Sequence, residues 1–454
     1  MKTISLLYKF VVILLFAGLS VNTVVAQTEK KERVEKVFDI SPSGSLIIPS
    51  VFRQEIEILT WERNEVKVVG ELSYEDDDNK EDVNKLLDAF GKSISAKLSK
   101  DVLNLDLKLI KSSDYRVTRS FFGINTTVTD YGTVLYNGDN ISITANNIKI
   151  SYTIWIPATL NVKIESRYGK LKMASIKGNV DFTLQNNNLV MGDFGESGIF
   201  NIRYSTATIG SGGVSKFNAF NGTINVVEVK NVTIDARYSK FNITKALNVS
   251  VKSFQDTFDF GMLNDIDASA RYSTIRIENN AGKSKFDFFQ CKFYGKNFQT
   301  MEISSARYSK FNATDIDEIK ISSSFQSEFN LAKVNTFFCK QTRYDKFRFN
   351  EIGINASFQD ALQPNVNINK TSASFNGFSG NFKYGSIDLK INPNVEYNLN
   401  YNGTYGSLRG VSSDKFKTKF ISDNNNSKTT IQGLNAGAKC NIEIVAQNTT
   451  CKIE

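Results

Sequence analysis

The 454-residue chain contains no histidine. That absence removes His-based catalytic triads and His-ligated metal sites, and with them most common hydrolase mechanisms. Its four cysteines, at 291, 339, 440 and 451, are too few for a disulfide framework. Cys440 and Cys451 can close a small C-terminal loop in an oxidising compartment, whereas Cys291 and Cys339 read as separate buried thiols. Proline is as scarce: there are five, at 42, 49, 157, 364 and 393, and none lies between 158 and 363. A P-loop, a G-x-S-x-G elbow and a glycine-rich calcium nonapeptide are also missing. No cofactor is expected from this inventory, and no metal site.

Long apolar runs are confined to the start. Lys2 and Lys9 flank the onset of "FVVILLFAGL" (10–19), and small residues at 24–26 precede Gln27. This pattern predicts a signal peptide over 1–26, cleaved after Ala26. No later segment is apolar enough to cross a bilayer, so no transmembrane segment is expected after cleavage. Without Lys2 and Lys9 the chain carries 53 basic against 47 acidic residues, a net charge of +6. Spread over more than 400 residues, that bias predicts no nucleic-acid partner and only a mild preference for anionic polymers.

What the chain has in abundance is repetition. "ARYSKFN" occurs at 236–242 and again at 306–312, with looser copies around it. With the tyrosine of each copy as position zero, tyrosines fall at 168, 204, 238, 272, 308 and 344. Halfway between them the pattern returns with an amide at zero: Asn186, Asn221, Gln255, Gln290, Gln326 and Gln359. Gly, Ser or Asp commonly follows at +1, then apolar or small residues at +3 and +5. Twelve units cover 168–359, 191 residues in 11 steps, or about 17.4 residues each.

A unit this short cannot bury an apolar face alone, so units must stack. Two short strands around a corner, repeated at fixed length, describe one coil of a parallel β-solenoid. The expected class is therefore all-β, a single-stranded parallel β-helix of about 17–18 residues per coil. The missing prolines agree, because strands paired on both sides exclude a residue without an N–H.

Two columns follow from the period. Strand alternation predicts that position zero points inward at the corner and that position −1 faces solvent. Position −1 alternates between Arg167, Arg203, Arg237, Arg271, Arg307 or Arg343 and Phe220, Phe254, Phe289, Phe325 or Phe358. Each arginine is expected to stack on phenylalanines of the coils above and below. Two readings of this ladder stay open. It is structural glue, or it is a ligand-binding strip made of Arg203, Phe220, Arg237, Phe254, Arg271, Phe289, Arg307, Phe325 and Arg343.

Residues 27–150 lack the repeat and predict an N-terminal β-rich cap containing one short helix, near 78–94. The solenoid is expected over 151–410 and a C-terminal cap over 411–454. The "I-x-I-x-x-W" segment before "N-E-V-K-V", the later "IWIP-x-x-L-x-V-K-I" and repeats of the "Y-G-x-L" kind are carried by about 37–410. In these motifs the chain resembles the bacterial putative-adhesin β-solenoid proteins of the Bacteroidota type, related to head-domain-type adhesins. It departs from them in writing Arg-Tyr-Ser where many members have glycine-rich turns. The resemblance implies a secreted, noncatalytic cell-envelope protein, exported across the inner membrane to the periplasm or the cell surface. A glycan or an envelope or host-surface protein would be its partner.

Two alternatives follow from the same residues. One is a periplasmic structural or envelope-stress accessory protein without a ligand. The other is a polysaccharide-active β-helix enzyme, for which Asp345 and Asp360 at position +1 of adjacent coils would place two carboxylates about 5 Å apart.

Overall fold

The computed structural model describes residues 29–75, 80–121, 124–136, 139–425 and 427–454. The signal-peptide segment 1–26 lies outside them. Among the described residues no helix is long and apolar enough to cross a membrane. The chain divides into two compact units. One, comprising 29–34, 70–93 and 108–151 among the described residues, contains the α-helix Lys80–Gly91 and an antiparallel meander. In that meander Leu109–Phe121 pairs with Ile124–Tyr136, which in turn pairs with Asp139–Pro157. The helix buries Val83, Leu86, Ala89 and Phe90, the spacing of one helical face.

The second unit is the parallel β-solenoid. Successive strands pair in parallel with offsets of 17 or 18 residues through most of the stack, such as Phe217↔Ile234, Ile234↔Val251 and Phe311↔Phe329. Equivalent residues therefore stack about 4.8 Å apart. Position +3 forms an interior column in which aromatic rings stack directly. Phe241 and Phe258 lie 5.3 Å apart, Phe311 and Phe329 5.0 Å, and Phe329 and Phe347 4.8 Å. All are fully buried. Burial of such a ring is worth about 1.5–3 kcal/mol, which is where a stack of otherwise weak units finds its cohesion. Asparagine amides form ladders outside, as in Asn242 to Asn225 (2.6 Å) and Asn248 to Asn231 (2.6 Å).

The corner corrects the inward assignment of position zero. Tyr168, Asn186, Tyr204, Asn221, Tyr238, Gln255, Tyr272, Gln290, Tyr308, Gln326 and Tyr344 all have φ between 47° and 62°. One residue in the left-handed region turns the chain and breaks the two-residue alternation. Position zero is thereby thrown outward; Tyr238 is 49% exposed. Position +1 takes the inward place instead, and Ser205, Ser239, Asp256, Ser273, Cys291, Ser309, Ser327 and Asp345 are buried.

These buried polar groups staple each corner to its neighbours. Ser239 Oγ donates to the Arg237 carbonyl (2.9 Å) and accepts the Gly222 N–H of the preceding coil (3.1 Å). Ser205, Ser309 and Ser327 repeat the bond to their own −1 carbonyl. Each staple satisfies an N–H that the turn would otherwise bury unpaired, a defect costing about 1–3 kcal/mol.

Further expectations are corrected along the stack. The twelfth corner is Gln363 (φ 49°), not Gln359, because the coil after Tyr344 is 19 residues long and shifts register near Val334/Thr336. Phe358 is accordingly interior, 1% exposed, and pairs with Cys339. The solenoid also starts before residue 151: Ser45–Phe52 and Glu55–Trp61 form a rung with its corner at Arg53, paired with Asn161–Arg167 and Lys170–Met173. Pro49 is tolerated there because it falls at a register shift between Ile48 and Val51.

At the far end, 411–454 is not simply a cap. Cys440–Gln447 and Thr450–Ile453 form a true rung, inserted between Gly377–Lys383 and Tyr397–Thr404 on one wall and Ser386–Leu389 and Ser407–Arg409 on the other. Only the antiparallel strands Lys419–Asn425 and Lys428–Leu434 finish the stack beyond Tyr397–Thr404. Cys440 and Cys451 stand on two walls of that rung, either side of Asn448, and both are free. The disulfide that their spacing allows is not formed here. Burial pushes Cys440 up to about 11 and Cys451 to about 12, and Cys291 and Cys339 are buried thiols as anticipated.

The corner conformation is directly testable. Gln290→Gly should leave stability within about 1 kcal/mol, since glycine adopts this φ without strain but loses more chain entropy. Gln290→Val should cost about 1–3 kcal/mol in urea unfolding. Equal tolerance of both would contradict the left-handed corner.

Candidate functional site

The corner places two adjacent outward columns on one ridge. In the first, register pairing runs Arg203↔Phe220↔Arg237↔Phe254↔Arg271↔Phe289↔Arg307↔Phe325↔Arg343. All nine sequence-predicted residues are thus brought into one line. The arginines are exposed and the phenylalanines half-buried.

Their contacts differ from the expectation. The phenylalanines meet the tyrosines of the corner column, not the arginines. Tyr204, Phe220, Tyr238, Phe254, Tyr272, Phe289, Tyr308, Phe325 and Tyr344 form one unbroken zigzag of edge-to-face rings, with centroids 5.3–5.8 Å apart and planes 73–82° apart. The physical reason is the left-handed corner. By turning each tyrosine outward, it puts a ring beside the phenylalanines of both neighbouring coils. Such contacts are worth about 0.5–1.5 kcal/mol each beyond their burial.

The five arginines are left over. Among the described residues none of them makes an ion pair, a side-chain hydrogen bond or a ring-face contact. Arg276 and Arg348, elsewhere on the solenoid, are engaged with Asp259 and Glu328. A groove of about 630 Å³ indents the ridge between Phe254 and Arg307, with Arg271, Tyr272 and Phe289 in its lining.

Position +2 lies on the other side of the tyrosines and was not singled out in the sequence. Its register column runs Thr223, Lys240, Thr257, Thr274, Lys292, Lys310, Glu328, Lys346. The ridge therefore carries five arginines and four lysines against one glutamate. The signal was available as the recurrent lysine two residues after a corner, in "YSKF" and "YDKF". Net charge alone dilutes it.

The paired-carboxylate expectation is overturned. Asp345 is 1% exposed and accepts hydrogen bonds from Ser324 Oγ (2.7 Å), the N–H groups of Ser327 (2.5 Å) and Arg343 (3.0 Å), and the Thr342 hydroxyl. Burial pushes its carboxyl up from the ordinary range against the pull of those donors. Asp360 belongs to no corner and pairs in register with Gln341.

No protein-family model and no curated protein matches the chain. Among solved structures, one described as "a putative cell adhesion protein from Clostridium sporogenes ATCC 15579" is similar over 94% of this chain and 100% of its own. Sequence identity is 9% and the TM-score 0.15, so the likeness adds nothing to the geometry above.

The division of labour on the ridge predicts a split between stability and surface chemistry. Phe254→Ala removes ring contacts with both Tyr238 and Tyr272 and should lower unfolding free energy by about 1–3 kcal/mol. Arg237→Ala, which removes no partner, should change it by less than about 0.5 kcal/mol. Denaturant titration of the two variants checks this, and equal losses would contradict it.

Proposed function

We propose that this chain is a noncatalytic cell-surface adhesion protein that meets its partner along the corner ridge. The observation that carries the reading is the row of five unpartnered guanidinium groups held over a continuous ring zipper. An exposed guanidinium without an ion-pair or ring partner adds little to the fold beyond the surface its stem covers, while a row of them at fixed spacing can engage a long ligand at many points at once. Export to the envelope of a Bacteroidota-type bacterium belongs to the same proposal and rests on the segment at 1–26 and on the motifs at 37–410.

The structural-accessory reading is favoured by the rings alone. Their edge-to-face contacts explain why the phenylalanines are there, but they leave the arginines without a role. The enzyme reading has lost the pair on which it was built, with Asp345 buried as a corner staple.

Protease treatment of intact cells should remove the protein. Attachment of beads coated with the purified chain to the surface it recognises should fall about tenfold or more in Arg237→Ala/Arg271→Ala/Arg307→Ala, at an unchanged melting temperature. A protein sheltered until the outer membrane is broken, or undiminished attachment by the triple variant, would overturn the proposal.

A further inference from the structure

The ridge also specifies the chemistry of its ligand, given that it is the binding surface. We infer that it takes a linear polysaccharide bearing one carboxylate per disaccharide, aligned parallel to the solenoid axis.

The first argument is charge. Over the coils from Tyr204 to Tyr344, position −1 supplies Arg203, Arg237, Arg271, Arg307 and Arg343. Position +2 supplies Lys240, Lys292, Lys310 and Lys346 against the single Glu328. The wall behind the arginines does not cancel this. Its next two outward columns hold Asp235, Lys252 and Asp287, and Lys216, Asp267, Lys285, Glu302 and Lys320, which together balance. The net field of the ridge is positive, so its complement is an anion.

The second argument is spacing. Arginines occur on every second coil, because phenylalanine occupies the coils between. Guanidinium groups therefore recur about every 9.6 Å, and the five span about 38 Å. Each strand of double-helical DNA presents a phosphate about every 3.4 Å, nearly three for each arginine. A polymer whose anionic groups are a disaccharide apart matches the two-coil repeat one to one. Guanidinium accepts a carboxylate through two parallel hydrogen bonds, which favours that anion's planar geometry.

The third argument is the surface between the charges. Half-buried phenylalanines and half-exposed tyrosines lie along the whole row, so each interval between arginines offers an aromatic surface to the uncharged part of the repeat. Each ring is braced by its neighbours, so ordering the surface on binding costs little side-chain entropy.

Hyaluronan oligosaccharides are the probe, tested by calorimetric titration of the full mature chain. Carboxyl-reduced hyaluronan and single-stranded DNA serve as controls. Hyaluronan should bind, with affinity rising until the oligosaccharide reaches about five disaccharides, the length of the arginine row. Carboxyl reduction should weaken binding about tenfold or more, and affinity should fall as salt rises. Arg237→Ala/Arg271→Ala/Arg307→Ala should weaken it to a similar degree without changing the melting temperature.

Failure of hyaluronan to bind, equal affinity for the carboxyl-reduced polymer, or tighter binding of DNA would overturn the inference. If the triple variant still loses surface attachment in any of those cases, the ridge remains the adhesive surface and only its ligand has been misassigned. If attachment is also retained, both readings fail.

Discussion

A single residue in the left-handed conformation at the corner of each coil is the constraint on which the rest of this structure depends. It turns the chain, reverses the inward–outward alternation, and exchanges the burial of positions zero and +1. Elsewhere glycine or asparagine usually fills such a place, because other side chains are strained there by about 1 kcal/mol or more. Here tyrosine and glutamine fill most of the repeated corners. The strain is offset by what the conformation makes possible: a buried hydroxyl or carboxylate at +1 bonded to neighbouring backbone, and an outward ring at zero.

From that corner the ridge follows without further design. A ring at zero on alternate coils needs aromatic neighbours on the coils between, and phenylalanine at −1 supplies them. The same alternation leaves position −1 of the tyrosine coils outside the zipper, and arginine stands there. Structure and candidate function are thus interleaved at the period of two coils. The rings hold the ridge, and the guanidinium groups are what it presents.

The sequence makes the solenoid, its coil length and the membership of the −1 column legible, because equal spacing fixes which residues stack whatever the local geometry. It does not reveal which way each corner residue points. Alternation is a rule for extended strands, and one left-handed residue cancels it. The ring partners therefore differ from those that alternation predicts: Phe254 lies against Tyr238 and Tyr272, not against Arg237 and Arg271. The Gln363 corner was hidden by a lengthened coil, and Phe358 with it.

Two rungs are hidden in the sequence for a different reason. The Arg53 rung is followed by more than 100 residues before the next corner, and the Asn448 rung is threaded back between earlier coils. Both nonetheless follow the template, with Ile56 and Ile58, and Cys451 and Ile453, at +3 and +5. The basic ridge was diluted in the same way, since a modest net charge says nothing of nine cations lying in two columns.

The most direct test of this account is residue-resolved modification of arginine by phenylglyoxal, followed by mass spectrometry. Arg203, Arg237, Arg271, Arg307 and Arg343 should react at similar rates, and faster than Arg276 and Arg348, whose guanidinium groups are engaged. Polymer binding should protect the five together. Slow or scattered reactivity among the five in the free protein would mean that they have partners of their own, and the ridge would lose its claim to be the surface this fold presents.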